Sequence, residues 1–155
     1  MALLFFGKTI CPLCEQVIVQ GDSTISFPAF ITNEADPCFV FSDRAFHTKC
    51  VRNNDLGEIA VQRFSEWQSK IGPGKRKCTV CQLEVTQPDN YLVIEELSND
   101  VSSPLHIFNY THLHKTCIPK WELRDNFIEA AKNVIESKQW KGGYLSHLIH
   151  EIESL

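Results

Sequence analysis

Four cysteine and histidine motifs stand out because their residue types bind metal ions. Cys11 and Cys14 form a CxxC motif, and after 32 intervening residues His47 and Cys50 form an HxxC motif. The same arrangement recurs 67 residues later, at Cys78, Cys81, His114 and Cys117. A CxxC turn can direct two sulfurs at one ion, and an HxxC motif adds two ligands, so each set completes a tetrahedron. The spacing predicts two metal sites, each of three thiolates and one imidazole.

Zinc is the ion that this ligand set favours, although four soft ligands can also hold iron. A catalytic zinc usually has three protein ligands and an open position for water, whereas each set here supplies four. We therefore expect two structural Zn²⁺ ions, no catalytic residues and no enzyme activity. Each loaded site loses three thiol protons and gains a dication, so the formal net charge of −4 becomes −6.

The 67-residue offset relates more than the eight predicted ligands. The further identical pairs are Gly7 with Gly74, Lys8 with Lys75, Gln20 with Gln87, Asp22 with Asp89, Pro37 with Pro104, and Phe41 with Phe108. A constant period of this kind indicates an internal duplication. The sequence predicts one zinc-binding unit at residues 1–71, a second at residues 72–140, and a C-terminal helix at residues 141–155.

Each metal set needs a small sheet beside it, and the sequence predicts one in each unit. Alternating residues after each CxxC predict strands at 24–27 and 91–94. Polar turn residues follow, and the next apolar runs predict partner strands at 38–41 and 105–108. The opening apolar run, residues 2–6, is too short for a signal peptide and predicts a first strand.

A helix is predicted after each HxxC motif, where apolar residues recur at steps of three or four. These residues are Leu56, Ile59, Ala60, Phe64, Trp67 and Ile71 in the first unit, and Trp121, Phe127, Ile128, Ala131, Val134 and Ile135 in the second. Gly72-Pro73-Gly74 ends the first helix and predicts a linker. The final helix is amphipathic, and we interpret it as a cap on the two units, with partner binding as the alternative. Its apolar residues are Leu145, Leu148, Ile149 and Ile152.

A CxxC turn on a hairpin, followed by two ligands at a helix start, resembles the treble-clef zinc finger over residues 5–71 and 72–140. The resemblance implies an α+β fold of two tandem treble-clef-like units, each with a knuckle, a β-hairpin and a helix, plus the C-terminal helix. Residues 112–121, HLHKTCIPKW, are also similar to the first zinc site of RING and LIM domains. The similarity to RING domains implies a component of a ubiquitin ligase. Nuclease activity also occurs on treble-clef folds. Both are remote alternatives for the function of this protein.

Three of the four other histidines and the remaining cysteine receive assignments other than metal binding. Cys38 corresponds to a leucine in the second unit, so we expect it in the core. His112 corresponds to an alanine in the first unit, and we therefore assign the ligand role to His114. His147 and His150 lie on the polar side of the predicted last helix, where we expect solvent exposure.

The charge and the composition of the chain limit the classes of function that it can have. A net charge of −4 and a pI near 5.8 disfavour a protein whose main task is binding nucleic-acid phosphates. We expect a non-enzymatic, zinc-stabilised protein that binds another protein, as an inhibitor, an immunity-type protein or an adaptor. The alternative is a nucleic-acid-binding zinc finger protein, because Lys75, Arg76 and Lys77 form a compact basic run beside the second CxxC.

Two expectations concern the setting of the protein. No apolar run approaches the roughly 20 residues that a membrane-spanning helix needs, so we expect no membrane partner. The seven cysteines fall largely into metal-ligand patterns rather than disulfide patterns, which predicts a reducing compartment, with the cytoplasm as the default.

Overall fold

Each half of the duplicated sequence contains a two-stranded antiparallel β-hairpin. The structure, a computed structural model, describes residues 2–72 and 74–155. Strand β1 (Thr24–Phe27) pairs with β2 (Arg44–His47), with Thr24 opposite His47. Strand β3 (Tyr91–Ile94) pairs with β4 (Thr111–His114), with Tyr91 opposite His114. The α-helices are α1 (Thr48–Arg52), α2 (Gly57–Ile71), α3 (Arg124–Glu136) and α4 (Tyr144–Glu153). The predicted α+β class, with tandem units and a C-terminal helix, is confirmed.

The chain divides into two units by internal contact. The first comprises Met1–Ile31 and Asp36–Glu66, and the second comprises Thr32–Ala35 and Trp67–Leu155. The linker predicted at Gly72-Pro73-Gly74 includes Pro73, which lies outside the described residues. Within the described chain, no helix is both long enough and apolar enough to cross a bilayer.

Strands β1 and β3 lie where the alternating pattern predicts them, but the predicted partner strands are wrong. Residues 38–41 and 105–108 fall in 3-10 helical turns, at Pro37–Phe41 and His106–Phe108. In the first turn, Pro37 has a fixed φ that suits a helix start, and the Asp36 carboxylate accepts a hydrogen bond from the Cys38 amide at 2.8 Å. The observed partner strands come later, immediately before each HxxC motif, and end at its histidine.

Residues 2–6 do not form the predicted first strand. The backbone turns back at this point, because the amides of Lys8 and Thr9 both donate to the carbonyl oxygen of Phe5, at 3.0 and 2.8 Å. The side chains of Leu3, Phe5 and Phe6 are exposed rather than paired into a core sheet. The prediction of a first strand is therefore wrong, because it rested on a short apolar run alone, and these residues lie in a turn at the surface.

Phenylalanine rings form the core of the first unit. Phe27, at the end of β1, lies 5.4–6.0 Å from four other rings, centroid to centroid, mostly in edge-to-face geometry. Those rings belong to Phe30, Phe41, Phe46 and Phe64. Aromatic pairs in such geometry contribute about 0.5–1.5 kcal/mol each beyond the burial of apolar area. The hairpin, the 3-10 turn and α2 thus meet in one aromatic cluster.

Helix α2 departs from its predicted face at two positions. Ile59, predicted to face the core, is 42% exposed. Arg63 is buried instead, because its guanidinium donates two hydrogen bonds of 2.9 Å to the carboxylate of Asp36. The helix begins at Gly57, where an added Cβ would lie 1.7 Å from the carbonyl oxygen of Val51. Only glycine permits this close approach of backbone to backbone.

The second unit has a larger core, to which both of its α-helices contribute. The buried residues of α3 are Phe127, Ala131 and Val134, and those of α4 are Leu145, Leu148, Ile149 and Ile152. These residues belong to the predicted apolar faces, and α4 packs against α3. The C-terminal helix therefore buries its apolar face in the hydrophobic core of the second unit.

Candidate metal centres

A tight backbone turn, here called a knuckle, presents the CxxC cysteines of each unit. In the first knuckle (residues 10–17), the Cys11 amide donates to the Gln16 carbonyl at 2.9 Å, and Ile10 bridges to Val17 across the turn. Glu15 has a φ of 59°, in the left-handed region, which reverses the chain after Cys14. The amides of Leu13 and Cys14 are thereby directed toward the Cys11 sulfur.

The second knuckle (residues 77–84) repeats this geometry at the 67-residue offset. The Cys78 amide donates to the Leu83 carbonyl at 2.9 Å, and Lys77 bridges to Glu84. Gln82, the counterpart of Glu15, has a φ of 63°. The duplication therefore extends from ligand identity to backbone conformation.

The HxxC ligands stand where a strand gives way to a helix. His47 ends β2 and precedes α1, whose first turn contains Cys50. His114 ends β4 in the same way, but Cys117 lies in a 3-10 helix, Lys115–Lys120, rather than in an α-helix. Pro119 explains the difference, because it lacks the amide hydrogen that an α-helical bond to the Lys115 carbonyl would need.

The structure brings all eight predicted ligand residues together in two groups of four. Within each group the ligand atoms lie within 4.8 Å of one another. The members of the first group are Cys11, Cys14, His47 and Cys50, and those of the second are Cys78, Cys81, His114 and Cys117. In both groups the nitrogen that faces the sulfurs is Nδ1 of the histidine.

The separations between ligand atoms fit a tetrahedral zinc ion. His47 Nδ1 lies 3.4 Å from the sulfur of Cys14 and 3.8 Å from that of Cys50. His114 Nδ1 lies 3.3 Å from the sulfur of Cys81. A tetrahedron with Zn–S near 2.3 Å and Zn–N near 2.0–2.1 Å has an N···S edge of about 3.5 Å. The two Cys₃His groups thus fit two structural zinc sites.

The thiols of each site have unequal acidity. Burial raises the pKa of Cys11, but hydrogen bonds from backbone amides, chiefly that of His47, outweigh it and lower the pKa to about 7. The same balance, with amides of Cys81 and His114, lowers the pKa of Cys78 to about 6. Burial and the neighbouring thiols raise the pKa of Cys50 and of Cys117 to about 11. A bound dication offsets this repulsion and favours three thiolates together.

Asp22 holds the ligand ring of the first site, a role that the sequence reasoning missed. Nε2 of His47 lies 3.2 Å from Oδ2 of Asp22, so the ring donates there while Nδ1 faces the sulfurs. The Val19 amide donates to the same oxygen at 2.8 Å, and the two contacts lower the pKa of Asp22. Such a carboxylate fixes the orientation and tautomer of a metal-binding histidine. The signal in the sequence was Gly21, which allows the turn before Asp22.

The remaining cysteine and the four other histidines, among them His106 and the exposed His150, lie outside both groups. Cys38 is buried in the first unit. His112 is buried with both ring nitrogens engaged: Nδ1 accepts from the Tyr91 hydroxyl at 2.7 Å, and Nε2 donates to the Lys70 carbonyl at 3.1 Å. The His147 side chain is 74% exposed, with Nε2 3.8 Å from a Glu151 oxygen.

The basic run beside the second knuckle is exposed at all three positions. The guanidinium of Arg76 lies over the ring of Tyr91, 5.1 Å from its centroid, which is a cation–π distance. Lys75 and Lys77 flank it on the surface. This segment is thus a small positive patch with one of its cations held against an aromatic ring.

Both centres have the ligand number, ligand chemistry and spacing of structural zinc sites. Comparisons with protein-family models, with curated proteins and with solved structures gave no match.

Proposed function

We propose that this chain is a non-enzymatic protein, stabilised by two structural zinc ions in treble-clef-like units, that acts by binding another protein. Each metal group supplies four protein ligands, which supports a closed structural site over a catalytic one with an open position. Proteins of this kind, which act by binding another protein, include inhibitors, immunity-type proteins and adaptors. Six of the seven cysteines lie in the two metal groups rather than in disulfides, which supports a reducing compartment such as the cytoplasm.

One observation carries the proposal: a set of exposed apolar side chains on and beside the first knuckle. It consists of side chains that are between 43% and 58% exposed, here called the first knuckle surface. Its members are Phe5, Phe6, Ile10, Val17 and Val19. Ile10 lies opposite Val17 across the turn, and Val19 lies two residues further along the same strand-like segment. Grouped exposed apolar side chains of this kind mark interaction sites on proteins.

The second unit shows that the knuckle fold does not require these apolar residues. At the 67-residue offset, Ile10, Val17 and Val19 correspond to a lysine, a glutamate and a threonine in the second unit. The second knuckle keeps the same hydrogen bonds and the same cross-turn bridge with these polar residues. The apolar side chains therefore add exposed hydrophobic surface without being needed for the turn, which favours a role in binding.

The same comparison supplies the experiment. The double variant I10K/V17E introduces into the first knuckle the lysine–glutamate pair that bridges the second knuckle. The turn is known to accommodate this pair. Wild type and variant would be expressed in the protein's own cells, purified without chelator, and weighed by native mass spectrometry. We expect two zinc ions on both, and a bound protein on the wild type only. A bound protein retained by the zinc-loaded variant would contradict the proposal.

The exposed basic patch favours nucleic-acid binding as the second candidate. Its test is the titration of RNA and DNA oligonucleotides into the purified protein at several salt concentrations. Binding through Lys75 and Lys77 would weaken steeply as salt rises and would be reduced in the variant K75E/K77E. Our proposal expects no such binding at physiological salt. Nucleic acid bound by the wild type and lost in K75E/K77E would establish the alternative instead.

A further inference from the structure

The two metal sites differ in how their histidine is held. In the first site, the carboxylate of Asp22 accepts a hydrogen bond from Nε2 of His47. In the part of the chain that the structure describes, no carboxylate pairs with the ring of His114 in the second site. Asp89, the counterpart of Asp22 by the 67-residue offset, is exposed. The duplication thus conserves the carboxylate residue but not its contact with the metal-binding ring.

One substitution in the duplicated turn explains this difference. Gly21 has a φ of +101°, which places Asp22 under His47 and lets the Val19 amide donate to the same carboxylate oxygen. The counterpart of Gly21 is Pro88, whose ring fixes φ near −65°. The chain at Pro88–Asn90 consequently forms a 3-10 turn, and its Asp89 remains at the surface.

The ligands of the second site are also more accessible to solvent. Cys81 is exposed, whereas its counterpart Cys14 is half-buried. His47 is buried, and its counterpart His114 is half-buried. A competing ligand must reach the metal ion itself, and more exposed protein ligands shield the ion less, so the second site offers the easier route for removal of the ion. The exposure of its ligands and the missing carboxylate therefore both make the second site bind its metal ion less firmly than the first.

We propose that the second metal site is an exchangeable zinc site, which yields its ion to a competing thiol or carboxylate chelator while the first site keeps its own. Asp22 is a positioning residue for the first site, because it acts on the metal through His47. Loss of a carboxylate partner of this kind typically lowers metal affinity about 10–100-fold. We expect the zinc dissociation constants of the two sites to differ by about that factor.

Loss of the second ion has a built-in optical readout. Cys78 belongs to the hydrophobic core of the second unit, so an empty site loosens that core. The three tryptophans of the chain, Trp67, Trp121 and Trp140, all lie in the second unit. Trp121 and Trp140 lie in that core, so tryptophan fluorescence reports chiefly the second unit, with a contribution from Trp67 on α2.

The experiment is an equilibrium competition of the two-zinc protein against a graded series of chelators. Zinc content is followed by native mass spectrometry, tryptophan fluorescence is recorded in parallel, and free thiols are alkylated and mapped by peptide mass spectrometry. We expect the zinc ion of the second site to leave first, together with the fluorescence change and with alkylation of Cys78, Cys81 and Cys117. The zinc ion of the first site should leave only at about 10–100-fold stronger competition.

Two matched variants test the cause. Asp22→Asn keeps an acceptor for the Val19 amide but weakens the contact with His47. In this variant the first-site zinc should leave at nearly the same chelator strength as the second-site zinc. Asp89→Asn is the control at the duplicated position and should change the loss of neither zinc ion. The proposal is overturned if both ions leave together in the wild type, if Cys11, Cys14 and Cys50 are alkylated first, or if Asp22→Asn retains first-site zinc like the wild type.

Discussion

The buried ion pair of Asp36 and Arg63 makes a prediction that can be worked through in numbers. Two hydrogen bonds of 2.9 Å join the guanidinium to the carboxylate, and their side chains are 7% and 17% exposed. Removing one partner leaves a buried charge without its counter-ion, which typically costs about 3–5 kcal/mol. We expect Arg63→Met to lower the free energy of unfolding by about 3 kcal/mol, the lower end, because Asp36 keeps some contact with water.

A double-mutant cycle isolates the pair from other effects of the substitutions. Asp36→Asn keeps an oxygen that can cap the Cys38 amide but removes the charge, and the double variant D36N/R63M removes both charges at once. We expect the double variant to be more stable than the sum of the single effects implies, by about 1–3 kcal/mol. Unfolding is measured by denaturant titration in zinc-buffered solution, with circular dichroism for the whole chain and tryptophan fluorescence chiefly for the second unit.

The matched control is an exposed pair, Lys132 with Glu153. Its nitrogen and oxygen lie 2.7 Å apart, closer than the atoms of the buried pair, but the side chains are 51% and 43% exposed. Exposed pairs contribute about 0.2–1 kcal/mol, so its coupling energy should be smaller than that of the buried pair. If the cycle for Asp36 and Arg63 gave a coupling no larger than that of this exposed pair, the reasoning from burial would be refuted.

Three further predictions concern backbone approach, a buried acid and the metals. Gly57→Ala should lower the free energy of unfolding by at least about 1–3 kcal/mol in the same titration, because the new Cβ would overlap the Val51 carbonyl, whereas Gly143→Ala, with open space around it, should not. Burial raises the pKa of Glu95 above 4.5, so its contribution to stability is greatest below that value and is lost as pH rises through the folded-state pKa. Glu95→Gln, which keeps an acceptor for Trp67, should therefore gain melting temperature over the wild type from about pH 5 to about pH 8; a constant difference would argue against this. Removing both zinc ions with excess chelator should abolish the cooperative unfolding transition of the first unit, and restoring Zn²⁺, but not Mg²⁺, should recover it.

The metal ligands could be located from the sequence because their chemistry and spacing are local and repeated. A CxxC turn and an HxxC motif each fix their own geometry over four residues, and the 67-residue offset matched the two sets without reference to structure. Strands β1 and β3 followed from alternation in the same way. The apolar faces of α3 and α4 were predictable because long amphipathic segments carry a strong periodic signal.

The partner strands could not be predicted, because strand pairing depends on residues distant in the chain. Residues 38–41 read as a continuous apolar run, and a 3-10 turn with buried ends gives the same pattern as a short buried strand. The observed strand Arg44–His47 follows Asp43, a non-glycine residue with a φ of 54°. Tyr110, its counterpart before β4, has a φ of 59°, so in the second unit the chain reverses at an aromatic residue that carries no turn signature.

Comparison of the two units separates what zinc binding requires from what each unit adds. Both units keep the knuckle, the hairpin that ends in a histidine, and the left-handed residues at Glu15 and Gln82. These shared features position the metal, so substitutions there should impair both units alike. The apolar first knuckle surface and the Asp22 contact occur in the first unit, whereas α4 and the tryptophans belong to the second.

This division gives each unit a different dependence on its metal. The first unit comprises about 62 residues and its described part has no helix equivalent to α4, and a unit of that size is only marginally stable without a staple. The second unit buries apolar residues from two long helices, so part of its core can persist when its metal leaves. The unit with the smaller core therefore holds its zinc tightly, and the unit with the larger core holds the exchangeable zinc. With this arrangement, the proposed binding surface at the first knuckle stays folded when zinc is scarce.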